Sequence, residues 1–393
     1  MKTRLILPDA ERFSLMMLML MWLVSSSGLS QEPYFRQVGL SGSFGDEQIN
    51  CLFQDHDGYV WIGTTGGVYQ FNGLTLKSPV GYEKFITSGV TAIFEDSQNN
   101  LWFGLDDGNV LHFSGHGQPG EVKADSLPDR RITSIIEGNN HRIWIGTYGD
   151  GIYYIDDLRM VKMGNGPHLA DNYIYSFAKD VKGRIWAGTD NGINLLHVNE
   201  NNFEIKHITV EDGLPDFIIR HIENDLQGNM WIGMHEYGVC RYDLAEDRIE
   251  VPDMFTNWEF GSVNSILAMD DRLWIATNGY GLIEYIHETD RMTSHEEING
   301  INLSRIKTMM RDREGNVWVV SGNNIHLSFG NRLGFVHQVE TYTTDNIHAL
   351  IAGSNDFIWF ANDEGVFSYY AGNKNRINKY NIGLNLQRQK VMS

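Results

Sequence analysis

The chain has 393 residues, with 41 Gly, only 8 Pro, 12% aromatics and a formal charge of −19. So large an acidic excess argues against a nucleic-acid partner, because phosphate binding needs surplus Lys and Arg, although a local basic patch can override the global sign. Abundant Gly and aromatics without a long helical pattern point to an all-β protein with many tight turns.

The N-terminus reads as an export signal. Lys2 and Arg4 open a positive segment, and Phe13 to Val24 form a twelve-residue apolar run. That run is short for a bilayer span but suits the core of a signal peptide. Gly28 and Ser30 supply small residues for cleavage before Gln31. Residues 1–30 are therefore expected to be removed, leaving no membrane insertion; the alternative is an uncleaved anchor. No Cys sits at the cleavage point, so no lipid anchor is expected. Cys51 and Cys240 fall in different repeats and are not expected to pair.

From there the chain is organised by tryptophan. Trp61, Trp102, Trp144, Trp186, Trp231, Trp274, Trp318 and Trp359 stand at intervals of 41, 42, 42, 45, 43, 44 and 41. Other residues recur in register with them. Ile or Val stands twelve positions earlier in seven repeats, and Val263 eleven earlier in the sixth. Asp55, Asp96, Asp180, Asp225 and Asp312 stand six earlier, and Gly63, Gly104, Gly146, Gly188 and Gly233 two later.

Each repeat reads as a blade of four antiparallel strands. In the first these are INCLFQD (49–55), the Trp strand VWIGT, GVYQF and an outer strand LTLKSPV (74–80). The Trp fills the space between blades, the small residue two later lets the next sheet approach, and the Asp shapes a tight turn. One blade cannot bury both faces, so the repeats must stack and close into a β-propeller. Seven blades is the favoured count, over residues 31–333, with segment 34–40 lending an outer strand to a late repeat. The degenerate seventh repeat (VWVVSGNN) could mark the seam. The eighth repeat and tail, 334–393, are then surplus and could open a second propeller. An eight-bladed ring is the alternative.

Chemical motifs are few. Asp55-His56-Asp57-Gly58 resembles the opening of a calcium loop, but Gly66 stands where the closing carboxylate should be, so it reads as a turn. His112 and His116 have HxxxH spacing, but off a strand into a turn, not on a helix. There is no GxSxG elbow and no phosphate-cradling loop. No catalytic residue, cofactor or metal is expected. The Trp series is core. More informative are aromatics that interrupt the second turns, on the end of the ring where propellers usually bind ligands. Tyr148, His235, Tyr237 and Tyr280 are such additions, and Trp258 lies in a loop at the same end. With Asp150, Glu236 and Asn278 beside them they suit a carbohydrate, rings stacking on C–H faces and polar groups holding hydroxyls. The plain alternative is that they pack only on their neighbours.

The segments DHDGYVWIGTTGGVYQF (55–71), DVKGRIWAGTDNGINLL (180–196) and DLQGNMWIGMHEYGVCRY (225–242) resemble the two-component regulator propeller repeat, and EDGLPDFIIRHI (211–222) is similar to that family's lead-in segments. The resemblance spans 34–381. It implies a periplasmic sensor region of a hybrid histidine kinase, which in that family is often concerned with carbohydrate uptake. This chain carries no kinase histidine motif, receiver or membrane helix after its first thirty residues. Kinase activity is therefore not expected in it, and a membrane sensor kinase or further domains would be its partners. Three functions stay open: a carbohydrate sensor, a propeller enzyme of lyase or glycosidase type acting at the central channel, and a protein-interaction scaffold.

Overall fold

The computed structural model describes residues 34–40, 43–79, 81–82, 86, 88–114, 119–124, 130–163, 168–199 and 202–328, and in a second compact unit 349–352, 357–362, 365–370 and 376–380. The expected export signal, His116 and most of 334–393 lie outside the described residues.

The unit Phe35–Gly330 holds seven four-stranded antiparallel sheets, the third extended by a short parallel strand. Their inner strands, in order, are Ile49–Gln54, Val90–Glu95, Ile132–Glu137, Ile174–Lys179, Ile219–Asn224, Val263–Ala268 and Ile306–Arg311. Each packs beside the next, and the seventh packs beside the first, so the sheets close into a ring. The seventh blade contains the seam. Its first three strands are Ile306–Arg311, Val317–Ser321 and Asn324–Ser328, and its outer strand is Phe35–Gln37, from the other end of the chain. Each inner strand carries a register shift between its first and third residues, a bulge that re-aims the second side chain. The eighth repeat forms a separate four-stranded antiparallel sheet.

Burial follows the repeat. The Trp strands Val60–Thr64, Ile143–Thr147, Ile185–Thr189, Met230–Met234 and Val317–Ser321 are buried at every position. The inner strands are only partly covered, as in Ile49–Gln54, because one edge borders the axis of the ring. Full burial thus marks the second strand and not the first. The outer strand of the first blade is also shorter than its sequence indicates, only Leu76–Lys77. Seven of the eight repeat tryptophans are buried; Trp359 corrects the core reading, being 37% exposed.

The Asp six residues before the Trp does more than shape a turn. In the first blade Asp55 accepts the backbone N–H of Tyr59 on one oxygen (2.8 Å) and the indole N–H of Trp61 on the other (2.7 Å). The same indole bond recurs at Asp96, Asp180, Asp225 and Asp312, at 2.8–3.0 Å. A buried indole N–H needs an acceptor, and the turn folds one beneath it. Both oxygens of Asp55 are thereby engaged.

The glycine two residues after the Trp is fixed by the next blade. A Cβ on Gly188 would stand 2.8 Å from the carbonyl oxygen of Ile219, a backbone atom that cannot swing aside. Gly188→Val is therefore expected to destabilise the ring by about 1–3 kcal/mol or more through overpacking. Urea denaturation measures it; an unchanged midpoint would contradict this account of blade spacing.

Candidate functional site

The second turns and the loops entering the inner strands lie at one end of the ring, and in five blades a backbone hydrogen bond ties the two together. Tyr148 N–H donates to Arg131 O (2.9 Å), His235 N–H to Ile218 O (3.1 Å) and Asn278 N–H to Ser262 O (3.0 Å). Others reach the next blade, Gly149 N–H to Asn172 O (3.1 Å), Gly192 N–H to Phe217 O (2.7 Å) and Gly279 N–H to Ser304 O (2.8 Å). These bonds join the turn faces of the third to fifth blades and of the sixth and seventh.

The structure divides the expected ligand residues into two groups. One joins the fifth and sixth blades. Trp258 packs against Gly238 and donates its indole N–H to Gly261 O (2.7 Å). Phe260 lies edge-on to Trp258 (5.2 Å between centroids) and to Tyr280 (6.2 Å), forming an aromatic row. His235 Nδ1 contacts Ser262 Oγ at 3.2 Å, and buried Asp216 accepts the backbone N–H of Glu236 (2.7 Å), fixing that turn. Glu236, Tyr237, Asn278 and Tyr280 present exposed surface around the row.

The other group joins the third and fourth blades. Exposed Tyr148 meets Tyr173 edge-on (5.0 Å) and approaches Tyr175 (6.0 Å). Asp150 stands apart from both groups. It accepts hydrogen bonds from Tyr153 and Lys162 within its own blade. Burial raises its carboxyl, but those two bonds outweigh burial and hold it below the usual carboxylate range.

A further set of residues escaped the sequence reading. The second residue of the seven inner strands is Asn50, Thr91, Thr133, Tyr175, Arg220, Asn264 and Lys307. Four of them donate to the carbonyl of the first residue in the next inner strand: Asn50 to Val90 (2.9 Å), Thr91 to Ile132 (2.6 Å), Thr133 to Ile174 (2.6 Å) and Asn264 to Ile306 (2.8 Å). The result is a belt around the axis just below the turn face. Tyr175, Arg220 and Lys307 break it. The Tyr175 hydroxyl donates to Asp190 (2.7 Å), the Arg220 guanidinium lies 4.4 Å over the Tyr175 ring, and Lys307 Nζ donates to Asn50 Oδ1 (2.9 Å). Reading one column after the conserved Ile or Val would have found these departures.

Deeper in the ring, the inner strand of the fifth blade carries two unusual groups. The N–H of Ile266 in the sixth blade donates to His221 Nδ1 (3.2 Å), which requires a neutral ring there; burial pushes its pKa down to about 4. Glu223, cross-strand from Trp231, is pushed up to about 8 by burial. Its counterparts are Phe53, Phe94, Ile136, Ala178, Leu267 and Met310. A carboxyl whose folded pKa lies above its unfolded value costs stability as pH rises from about 4.5 towards 8. Glu223→Gln is expected to raise Tm at pH 8 and leave it nearly unchanged at pH 4.5. Equal shifts at the two pH values would contradict that environment.

A closed ring of seven four-stranded antiparallel blades, with its departures from the repeat gathered at one end, is a β-propeller. Residues 43–66, 84–107, 126–149 and 168–191 match the family described as two component regulator propeller. Four segments, one in each of the first four blades, thus match this repeat. No curated protein matches the sequence. Among solved structures it is similar to the extracellular domain of a putative one component system from B. thetaiotaomicron, at 21% identity and a TM-score of 0.62, over 91% of this chain and 48% of that one. The extracellular domain of a putative hybrid two component system from the same organism aligns at 17% identity and a TM-score of 0.62, over 90% and 50%. A virginiamycin B lyase from Staphylococcus aureus aligns at 16% identity and a TM-score of 0.59, over 76% and 99%. These likenesses are of fold. The chain spans about half the length of the two extracellular domains.

Proposed function

We propose that this chain is the ligand-sensing propeller of a two-component signalling system, exported to the periplasm, and that its turn face recognises a carbohydrate. The observation that carries the reading is the row Trp258–Phe260–Tyr280, bordered by exposed Tyr237, Glu236 and Asn278. Such rings stack on sugar C–H faces, and the amide and carboxylate hold hydroxyls. The similarity to extracellular domains of one- and two-component systems supports a sensor role outside the cytoplasm. The apolar run 13–24 supports export. A membrane sensor kinase, or kinase domains joined to this propeller, would carry the signal onward.

A thermal-shift screen of the chain against neutral and acidic oligosaccharides tests the reading. A sugar-dependent rise in Tm, abolished by Tyr280→Ala and by Tyr237→Ala, is expected. A partner protein captured by the turn face, with no sugar response, would favour the scaffold instead. The lyase among the structural neighbours gives an enzyme a second place. Turnover of a bound sugar, seen by mass spectrometry of the recovered ligand, would establish it over the sensor.

A further inference from the structure

The repeat's departures in the belt of second residues share a property that the aromatic row lacks: two of the three are cations. Lys307 comes from the seventh blade and Arg220 from the fifth, and both stand at the level where the inner strands leave the turn face. A third cation, Arg131, directly precedes the inner strand of the third blade. Its exposed guanidinium meets exposed Asp106 at 3.4 Å, an ion pair open to solvent and weak by that exposure. Among the described residues no carboxylate lies within ion-pair distance of Lys307 or Arg220. Lys307 Nζ donates to the neutral oxygen of Asn50, and Arg220 lies over the face of Tyr175.

Leaving these cations without counter-ions is unusual in a chain with 50 acidic and 31 basic residues. The remaining belt positions are Asn or Thr, short side chains that fold back onto the next blade. Lys307 and Arg220 instead place their charged ends on neighbouring belt side chains, Lys307 on the Asn50 oxygen and Arg220 on the Tyr175 ring. Burial and then the positive charge of Arg131 hold Lys307 below the usual ammonium range. Cations set at one end of the ring by separate blades, of which Arg131 alone has an ion-pair partner among the described residues, form a site that an anion would stabilise. Tyr175, beneath Arg220 and near Tyr148, adds an aromatic wall.

We propose that the turn-face mouth of the central channel is an anion-binding site, in which Lys307, Arg131 and Arg220 hold the carboxylate or sulfate group of an acidic sugar while Tyr175 and Tyr148 pack against its ring. This rests on the carbohydrate reading above and gives that ligand a charge. The aromatic row of the fifth and sixth blades then serves the uncharged remainder of the same oligosaccharide. Arg and Lys have distinct parts: a guanidinium can engage two anionic oxygens at once, whereas the ammonium of Lys307 is a point charge.

Isothermal titration of the full chain tests this with four sugar probes and one ion: an oligogalacturonate and its methyl ester, a sulfated disaccharide and its desulfated form, and inorganic sulfate. At least one acidic sugar is expected to bind about tenfold or more tightly than its neutral counterpart, weakening as salt is raised. Which of the two acidic sugars gains over its neutral form distinguishes carboxylate from sulfate. Lys307→Gln and Arg220→Gln should each remove most of that preference. Lys307→Gln should do so without lowering Tm, because among the described residues the bond it loses is one to the neutral side chain of Asn50. If the neutral forms bind as tightly as the acidic ones, the anion site is refuted and the carbohydrate reading stands. If sulfate alone binds and depends on Lys307, the anion site stands and the carbohydrate reading fails. If none of the five binds, or binding is indifferent to Lys307 and Arg220, the proposal is overturned.

Discussion

Phe35→Ala is expected to lower stability by about 3–5 kcal/mol, the range for truncating a buried aromatic. Phe35 is buried among Trp274, Leu303, Val317 and Val319, with its ring edge-on to Trp274 at 6.4 Å. It also anchors the strand that completes the seventh blade, where Phe35, Arg36 and Gln37 pair with Ser328, Leu327 and His326. Val38 N–H to Ile325 O (2.8 Å) and the Gln37 side chain to Asn324 (2.9 Å) extend that pairing. Removing residues up to 40 should do more than the point substitution. It would bare the edge of Asn324–Ser328, and an unpaired strand edge invites association with another chain. Denaturant titration with light scattering reads both effects. A chain lacking the strand that stays monomeric and equally stable would show that the ring does not depend on it.

Asp180→Ala is expected to cost about 3–5 kcal/mol, as when one partner of a buried charged pair is lost. Asp180 accepts from the indole of Trp186 (2.9 Å), the guanidinium of Arg184 (2.7 Å) and the backbone N–H groups of Lys182 and Arg184 (both 2.9 Å). The third blade provides an internal control. Gly138 stands where Asp180 does, and the buried indole nitrogen of Trp144 has no hydrogen-bond partner. Trp144→Phe and Trp186→Phe lose similar packing, but only the second removes a hydrogen bond from a buried carboxylate. Trp186→Phe should therefore be the more damaging by about 1–3 kcal/mol. Equal losses at the two sites would show that the Asp–Trp bond contributes nothing beyond the turn.

The spacing of the tryptophans made the blades legible, because each repeat carries the same solution to packing two sheets: a large ring, a small neighbour and a turn. Seven in-register copies leave little freedom in the architecture. What the sequence hid depends on atoms from different blades. Asp55 reads as a turn residue, yet its second oxygen serves Trp61, which becomes visible only when the turn folds beneath the ring. Asn50, Thr91 and Thr133 look like unrelated polar residues until ring closure sets each beside the next strand's first carbonyl. The aromatic turns were legible as departures from the repeat, and the structure joins His235, Trp258 and Tyr280 across two blades. Asp150, chosen by the same logic, is engaged within its own blade by Tyr153 and Lys162, bonds that a turn sequence does not display. Arg220 and Lys307 lie inside strands, where departures were not sought.

The claim that recognition occurs on the turn face is tested most directly by hydrogen–deuterium exchange of the full chain with and without a bound oligosaccharide. Protection is expected at residues 146–151, 216–220, 234–238, 258–262 and 276–281. Protection confined to the opposite end of the ring, at turns such as 55–59 and 180–184, would contradict it.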